Sequence, residues 1–203
     1  MVDAQVNDTG RLVDNLVDII IPVYSGVEEV KACLNSVLAS RNQCQGEIIV
    51  VNDCSPEHAI HSYLQTLADE GLITLLLNLE NEGFVRTCNR ASAVRPERDF
   101  VLLNADTEVH GNWLDRMVSH AAAQARVATI TPFSNNATIA SYPWGGDRRE
   151  TEDDIRVASL DDAMRVANSG EAAVLPTAIG FCMFVSREAW QAAGGFDERY
   201  GRG

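Results

Sequence analysis

The spacing of Asn104, Asp106 and Glu108, after the apolar run that begins at Phe100, is the first sign of chemistry in this sequence. Side chains of an extended segment alternate with a period of two, so we expect these oxygen-bearing groups on one face. Such oxygens suit a hard divalent cation that carries phosphate groups. A turn after a strand is the alternative, because Asn, Asp and Thr are common in turns. The triplet alone favours neither interpretation.

Apolar strands that alternate with amphipathic segments would position these groups. The strands are predicted at residues 17–23, 47–51, 73–77 and 100–103. The segments between them carry apolar residues at helical spacing, and Ser55 as N-cap with Pro56 at the first helical position predicts a helix start. Near-continuous apolar strands that alternate with helices indicate a mostly parallel, buried sheet with right-handed crossovers. The first half is therefore predicted to be an α/β layered sandwich of the doubly wound kind.

The second half of the sequence is less regular. We predict helices at residues 113–123 and 187–193 and strands at residues 127–131 and 179–185. Residues 147–171 are acidic, and we expect them to form a mobile loop, because long irregular stretches in compact domains are usually functional or disordered. The organisation predicted is an N-terminal extension at 1–16 and one domain at 17–203, whose C-terminal part is missing.

Polar residues follow each of the first four predicted strands. Tyr24, Asp53, residues 81–83 and Asp106 occupy these places, and the carboxyl ends of parallel strands share one edge of a sheet. We therefore expect them to converge on one crevice. The Asp53 carboxylate could accept a hydrogen bond from a base or a ribose hydroxyl, with a helix cap or Asx-turn beside Ser55 as the structural alternative.

The start of the third predicted helix carries groups that suit phosphate. Gly83 lets the backbone come close to a ligand, and Arg86 and Arg90 lie one helical turn apart. Exposed arginine is nevertheless the default interpretation of such residues. The sequence has no GxGxxG or GxxxxGK[ST] motif, which removes the usual dinucleotide and P-loop fingerprints. It has no HExxH or GxSxG motif either, which disfavours zinc proteases and serine hydrolases.

Composition narrows the classes of partner. A formal charge of -13 on 203 residues disfavours nucleic acid, since phosphate binding needs clustered Lys and Arg. The sequence has neither a basic leader nor a run of roughly 18 apolar residues, so we expect a cytoplasmic protein without a membrane span, with peripheral binding to the inner face of the membrane open to it. The five cysteines form no CxxC pair and are predicted to be reduced core thiols.

Several ordered motifs resemble the family 2 glycosyltransferases of the GT-A fold. They are IIIPVYSGVEEVKACLNSVLAS, IIVVNDCS, NEGFVRTCNRA, FVLLNADTEV and IGFCMFVSREAWQAAGGFDERYGRG, and they cover about residues 17–203. FSNNAT and GGFDERYGRG look like the branch that builds bacterial cell-surface polysaccharides, including rhamnosyl-type transferases. The resemblance implies a Rossmann-like, three-layer α/β sandwich around a mostly parallel sheet. It also implies sugar transfer from a nucleotide-diphosphate donor to an acceptor hydroxyl, usually with inversion.

The resemblance further implies where the donor binds. Pro22, Val23 and Tyr24 would line the nucleoside pocket, and Asp53 would hydrogen-bond the base. The residues implied to lie against the ribose and diphosphate are Gly83, Asn89 and Arg90. The donor would be a UDP-, dTDP- or GDP-linked sugar, and the acceptor a saccharide or a lipid-linked saccharide.

The segment Asn104, Ala105 and Asp106 would form the DxD-like triplet of this family. Asp106 would contact Mg²⁺ or Mn²⁺, and the cation would stabilise the diphosphate leaving group as a Lewis acid. Asn104 stands where the family pattern has an acid, so we expect it to serve the ribose or a water molecule instead.

The acceptor side is less defined by the sequence. Trp144, in a Gly- and Pro-rich loop, offers the best aromatic face for a sugar, and Asp197 is implied to lie nearby. In similar proteins the catalytic base lies in an acidic triplet that would follow Gly203, so we expect this chain to bind donor but to transfer poorly. A non-catalytic sugar-nucleotide-binding domain is one alternative. A nucleotidyltransferase is another, although PVYSGVEE lacks the basic loop that it needs.

Overall fold

The computed structural model describes residues 16–124, 126–135, 137, 140–141 and 154–201. The strands are β1 Val17–Val23, β2 Gln45–Asn52, β3 Thr74–Leu77, β4 Phe100–Leu103, β5 Thr129–Ile130 and β6 Cys182–Val185. The helices are α1 Val27–Ala39, α2 His58–Asp69, α3 Phe84–Ser92, α4 Trp113–Ala123, α5 Asp154–Ala167 and α6 Arg187–Ala193, followed by a 3₁₀ turn at Glu198–Tyr200.

The strands form one sheet in the order β3-β2-β1-β4-β6-β5. β1 pairs in parallel with β2 and β4, and β2 pairs in parallel with β3. β6 pairs antiparallel with β4 and β5. The predicted mostly parallel sheet is confirmed. Strand order reverses around β1, with β2 on one side and β4 on the other, and open α/β sheets bind ligands at such a switch point.

Alternate side chains of β1 enter two different cores. Ile19 and Ile21 pack with α1, α2 and α4, whereas Ile20 packs with α3 and with residues of and after α6. All three are at most 1% exposed. Because helices cover both faces of the sheet, the strand is apolar at successive positions and does not alternate with polar residues. The predicted three-layer α/β sandwich around a mostly parallel sheet is confirmed.

The start of α2 differs from the prediction. The helix begins at His58, after Glu57, so Ser55 is not its N-cap and Pro56 is not its first residue. The side chain of Asn52 accepts a hydrogen bond from the Ser55 N–H at 2.8 Å, and the Ser55 hydroxyl accepts one from the Glu57 N–H at 3.2 Å. These local bonds stabilise a turn that lengthens the loop before the helix.

Part of the acidic stretch at 147–171 is helical. The predicted irregular loop is wrong for Asp154–Ala167, because DIRVASLDDAMRVA contains no Gly or Pro and forms α5. Arg116 of α4 donates to the Asp161 carboxylate of α5 at 2.7 Å, which ties the two helices together. Residues 147–153 of the predicted loop and residues 1–15 of the predicted extension lie outside the described residues.

The five cysteines are free thiols. Cys33, Cys88 and Cys182 are buried as predicted, and Cys44 is half-buried. The core prediction is wrong for Cys54, which is exposed in the loop after β2 with φ at 54°. In the part of the chain that the structure describes, no helix has the length and apolar character needed to cross a bilayer.

Candidate functional site

Three strand ends lie in register at one edge of the sheet. Val23 pairs with Asn52, and Asn52 pairs with Leu77. The ladder continues one residue further, because the Asp53 N–H donates to the Val23 carbonyl at 2.8 Å and the Asn78 N–H donates to the Asn52 carbonyl at 2.9 Å. The residues that directly follow β1, β2 and β3 are therefore close together in space, as predicted from the sequence.

Asp53 is the centre of this edge. Its carboxylate is 5% exposed and accepts three hydrogen bonds. Oδ1 receives the Asn78 side-chain amide at 2.7 Å and the Glu82 N–H at 2.8 Å, and Oδ2 receives the Gly83 N–H at 2.8 Å. The helix-cap or Asx-turn alternative beside Ser55 does not describe it, since its partners lie about thirty residues later in the chain. Asp53 fixes the loop that leads from β3 into α3.

Asn78 supports Asp53 and was not identified from the sequence. Besides its bond to Asp53, its side-chain amide donates to the Thr87 hydroxyl at 3.1 Å. Arg90 donates to the Asn78 side-chain oxygen and to the Leu77 carbonyl, the second bond measuring 2.9 Å. The buried carboxylate is thus linked through one amide to a guanidinium charge. A polar residue in the position after β3, opposite Asp53, was the only sequence signal for it.

The loop after β1 is tied to the same edge. The Gly26 N–H donates to the Glu57 carboxylate at 2.7 Å, and Gly26 has φ at 90°, a conformation that suits glycine. Tyr24, directly after β1, is 45% exposed, whereas Val23 is 1% exposed. Val23 can therefore line a pocket only with main-chain atoms, and Pro22 beside it is half-buried.

The segment after β4 is a turn and not an extended strand. β4 ends at Leu103, and the Thr107 N–H donates to the Asn104 carbonyl at 3.1 Å. The expectation that Asn104, Asp106 and Glu108 share one face of an extended segment is therefore wrong. The Asn104 N–H donates to the Phe181 carbonyl at 2.8 Å, which anchors the turn beside β6.

Asp106 lies exposed in this turn beside Ala105, which is half-buried. No described residue donates a hydrogen bond to the Asp106 carboxylate, and the described residues contain no cluster of three metal-ligating side chains. A hard cation held here would have one protein carboxylate and would fill its remaining positions with phosphate oxygens and water, as Mg²⁺ sites commonly do. These ligands suit a metal ion that binds together with a diphosphate.

The thiol beneath the turn is not available to a metal. Cys33 donates to the Asn104 carbonyl at 3.5 Å. Burial, with smaller effects from the charges of Asp106 and Glu108, raises the pKa of the Cys33 thiol to about 12. Because only the thiolate is a strong metal ligand, Cys33 serves the core packing of the site.

Two polar residues of α3 are engaged by the segment near the C-terminus. The Asn89 side chain donates to the Phe196 carbonyl and accepts from the Phe196 N–H, both at 2.9 Å. Arg86 donates to Glu198 at 3.1 Å. The described contacts of both side chains are therefore with this segment of the protein.

The residues expected on the acceptor side differ in how they are held. Asp197 accepts hydrogen bonds from the Arg199 guanidinium, the shortest at 2.6 Å, and from the Arg199 N–H at 3.0 Å. Arg199 holds the pKa of the Asp197 carboxyl below its ordinary value. Trp144 lies outside the described residues. Trp113 lies in one core and Trp190 packs against the other.

The chain is similar to known proteins over most of its length. The family model of Glycosyl transferase family 2 matches residues 18–192. The chain is 26% identical over 168 residues to N-acetylgalactosaminyltransferase 7 of Drosophila melanogaster, covering 74% of this chain and 28% of that protein. It is 24% identical over 153 residues to the glycosyltransferase AglE of Haloferax volcanii, covering 75% of this chain and 49% of that protein. The chain thus spans half the length of these relatives or less.

Solved structures share the fold. Mannosyltransferase PcManGT from Pyrobaculum calidifontis, in complex with GDP-Man and Mn²⁺, has a TM-score of 0.57 at 20% identity, over 89% of this chain and 47% of that one. GalNAc-T7 with UDP, GalNAc and Mn²⁺ has a TM-score of 0.64 at 15% identity, over 90% and 37%. S. aureus TarS 1-349 in complex with UDP has a TM-score of 0.62 at 13% identity, over 91% and 51%.

Proposed function

The chain belongs to glycosyl transferase family 2, and from that premise we propose that it is the donor-binding part of a glycosyltransferase. The reaction would move a sugar from a nucleotide-diphosphate donor to an acceptor hydroxyl. The observation that carries the proposal is the pair of carboxylates at one edge of the sheet. Asp53 follows β2 and Asp106 follows β4, on the two sides of the central strand β1.

We assign the nucleoside end of the donor to Asp53, with Tyr24 beside it. A carboxylate has about four lone-pair directions, and three of those on Asp53 are occupied by described donors. The fourth belongs to Oδ2 and can accept one N–H from the edge of a base. The rigid network around Asn78 holds the carboxylate ready, so little ordering entropy is lost when the base binds.

We assign the diphosphate end to Asp106 with Mg²⁺ or Mn²⁺. Arg86 and Arg90 are bonded to protein groups, so within the described residues the cationic side chains of α3 are already in use. We therefore assign the balancing of the diphosphate charge to a bound cation. A metal supplies Lewis-acid stabilisation of the leaving group, and the complexes of PcManGT and GalNAc-T7 with Mn²⁺ support this choice.

The remaining residues can make fewer contacts with the donor than the family resemblance implies. The Gly83 N–H is used by Asp53, so Gly83 offers a close approach to the ribose through its Cα and not through its amide. Asn104 is half-buried beside Asp106 and can reach the ribose or a water molecule of the metal. Positioning the sugar and the acceptor in line supplies a further part of the rate.

On the acceptor side we propose a saccharide or a lipid-linked saccharide and an inverting displacement. The motifs FSNNAT and GGFDERYGRG support a role in bacterial surface polysaccharide synthesis. Asp197 is not assigned as the base that removes the hydroxyl proton. Its carboxylate is bound by Arg199 and its pKa is lowered, which makes it a weaker base.

Thermal unfolding with a panel of nucleotides tests the proposal. A ligand that binds only the native state raises the unfolding temperature. UDP-, dTDP- or GDP-linked sugars with Mn²⁺ should stabilise the protein, and Asp53→Ala should abolish that shift while Glu80→Ala, an exposed change in the next loop, should not. Stabilisation by nucleoside triphosphates alone would favour the nucleotidyltransferase alternative. No shift with any nucleotide would contradict donor binding.

A further inference from the structure

We propose that Asn89 is a positioning residue that docks the segment 195–200 onto α3, and that it is not a ligand of the donor. A carboxamide places an NH₂ donor and a carbonyl acceptor side by side in one plane, which matches the carbonyl and N–H of the main chain. Asn89 uses both on Phe196, at 2.9 Å each. The side chain therefore behaves as one more rung of backbone pairing between a helix and a segment that lies 107 residues away.

Gly195 shows how close this contact is. It has φ at +81°, and a Cβ at this position would lie 2.9 Å from the Asn89 side-chain oxygen. Both the backbone conformation and the approach of Asn89 therefore require glycine. The Asn89 amide packs closely against the turn at Gly195, so a change in either residue should release the docked segment.

Aromatic packing supports the same docking. The Phe196 ring lies 4.9 Å from the Trp190 ring and 5.9 Å from the Phe84 ring, between centroids. The Trp190 ring in turn packs edge-on against Phe100 at 5.2 Å. The exposed pair of Arg86 and Glu198 adds little, because surface ion pairs contribute roughly 0 to 1 kcal/mol. The amide and the rings therefore dominate the contact.

The helix α3 connects this docking to the proposed donor site. Its start is held by Asp53 through the Gly83 N–H, and its sixth residue, Asn89, holds Phe196. Asp197 follows Phe196 directly, so Asn89 sets the position of a residue on the acceptor side. This functional consequence rests on the proposed transferase function, whereas the docking itself does not.

In the variant Asn89→Asp, docking of the segment 195–200 should depend on pH. An ionised Asp can accept from the Phe196 N–H, but its second oxygen repels the Phe196 carbonyl. A protonated Asp regains the donor, so docking should return as pH falls toward the carboxyl pKa, ordinarily about 3.9. Asn89→Leu removes both bonds and cannot recover. Asn35→Asp, an exposed change on α1, adds the same charge elsewhere and is the matched control.

Hydrogen exchange of the peptide that contains residues 195–200 measures docking without any need for turnover. At pH 7 exchange corrected for intrinsic rates should rise about tenfold in Asn89→Asp, the effect of losing one net hydrogen bond, and at least as much in Asn89→Leu, which loses both bonds. At about pH 4, close to the ordinary carboxyl pKa, Asn89→Asp should move back toward the wild type and Asn89→Leu should not. Gly195→Ala should loosen the same peptide with Asn89 intact, and Asn35→Asp should leave it unchanged.

The affinity for the donor nucleotide distinguishes a docking role of Asn89 from a role as a ligand. The dissociation constant for the bound nucleotide should change less than about threefold in Asn89→Asp, since no ligand contact is removed. Unchanged exchange together with a tenfold or larger loss of nucleotide affinity would overturn the proposal and make Asn89 a ligand. If the wild type bound no nucleotide, the proposed function would fail, while the exchange data would still decide whether Asn89 docks the segment.

Discussion

The carboxylate of Asp53 accepts a hydrogen bond from the backbone N–H of Gly83 at 2.8 Å, across 30 residues of sequence. This bond links the end of β2 to the start of α3, and the same carboxylate receives the Glu82 N–H. A strand end and a helix start are thereby fixed by one buried charge. The edge at which we place the donor is consequently rigid before any ligand arrives.

Asp53→Asn should lower the stability of the protein as well as disturb the proposed donor site. One carboxylate oxygen becomes an NH₂ group, which cannot accept the Glu82 or Gly83 N–H, and a buried donor is left facing another donor. We expect a loss of about 1 to 3 kcal/mol in the free energy of unfolding, measured by urea titration. Asp69→Asn, on the exposed end of α2, is the control and should cost less than about 0.5 kcal/mol. Equal stability of the two variants would refute the structural role of Asp53.

The single lone pair left on Asp53 predicts which bases bind. Uracil, thymine and guanine each present a ring N–H that Oδ2 can accept, whereas the ring nitrogen N3 of cytosine is an acceptor. UDP, dTDP or GDP should therefore bind about tenfold or more tightly than CDP, because an unpaired buried acceptor costs roughly 1 to 3 kcal/mol. Competition calorimetry with the four nucleotides measures the order. CDP binding as tight as the best of the others would remove Asp53 from the base contact.

Gly83→Ala tests the backbone at the entrance to α3. Gly83 has φ at 83° and ψ at 169°, a region that is essentially restricted to glycine, so a methyl group should cost about 1 to 3 kcal/mol. Donor affinity should fall with it, because the Asp53 bond shifts. Gly71→Ala, at φ +71° with open space around it, is the matched control. Its stability should fall through strain alone, and its donor affinity should equal that of the wild type.

Asp115 should make stability depend on pH in the acid range. Burial raises the pKa of Asp115, but hydrogen bonds from the Cys44 thiol and from the N–H groups of Gln43 and Cys44 outweigh it and hold the pKa below its ordinary 3.8. The stabilisation is therefore complete above the unfolded pKa and is lost as pH falls through the lower folded value.

Urea titrations of Asp115→Asn at several pH values measure this effect. At pH 7 the variant should be less stable than the wild type by about 1 kcal/mol, a figure that allows for solvent screening at a half-buried site. The gap should narrow as pH falls below the ordinary carboxyl pKa and should close once pH has passed through the lower folded value, where the carboxyl is protonated in both states. A constant gap across the range would mean that packing, and not the carboxylate charge, accounts for the loss.

The sequence predicted the framework of the site well, for physical reasons. Strands such as residues 17–23 are apolar at successive positions because helices cover both faces of the sheet, and that pattern indicates a parallel sheet. Once the strands are parallel, Asp53 and Asp106 must leave the same edge. Topology alone therefore located both carboxylates.

The partners of those residues could not be predicted in the same way. The side-chain amides of Asn78 and Asn89 hydrogen-bond to groups that lie 25 and 107 residues away in the sequence. No local pattern specifies such pairs. The turn closed between Asn104 and Thr107 depends on the Phe181 carbonyl, which β6 brings to it. Tertiary hydrogen bonds of this kind arise only when the strands are assembled.

A metal ion at Asp106 would hold the diphosphate of the donor, and calorimetric titration with UDP-, dTDP- and GDP-linked sugars, with and without Mn²⁺, measures its contribution. The wild type and Glu108→Ala, a matched loss of an exposed carboxylate, should bind donor about tenfold or more tightly when Mn²⁺ is present. In Asp106→Ala the gain from Mn²⁺ should disappear. Donor binding that is independent of metal and survives Asp106→Ala would contradict the account.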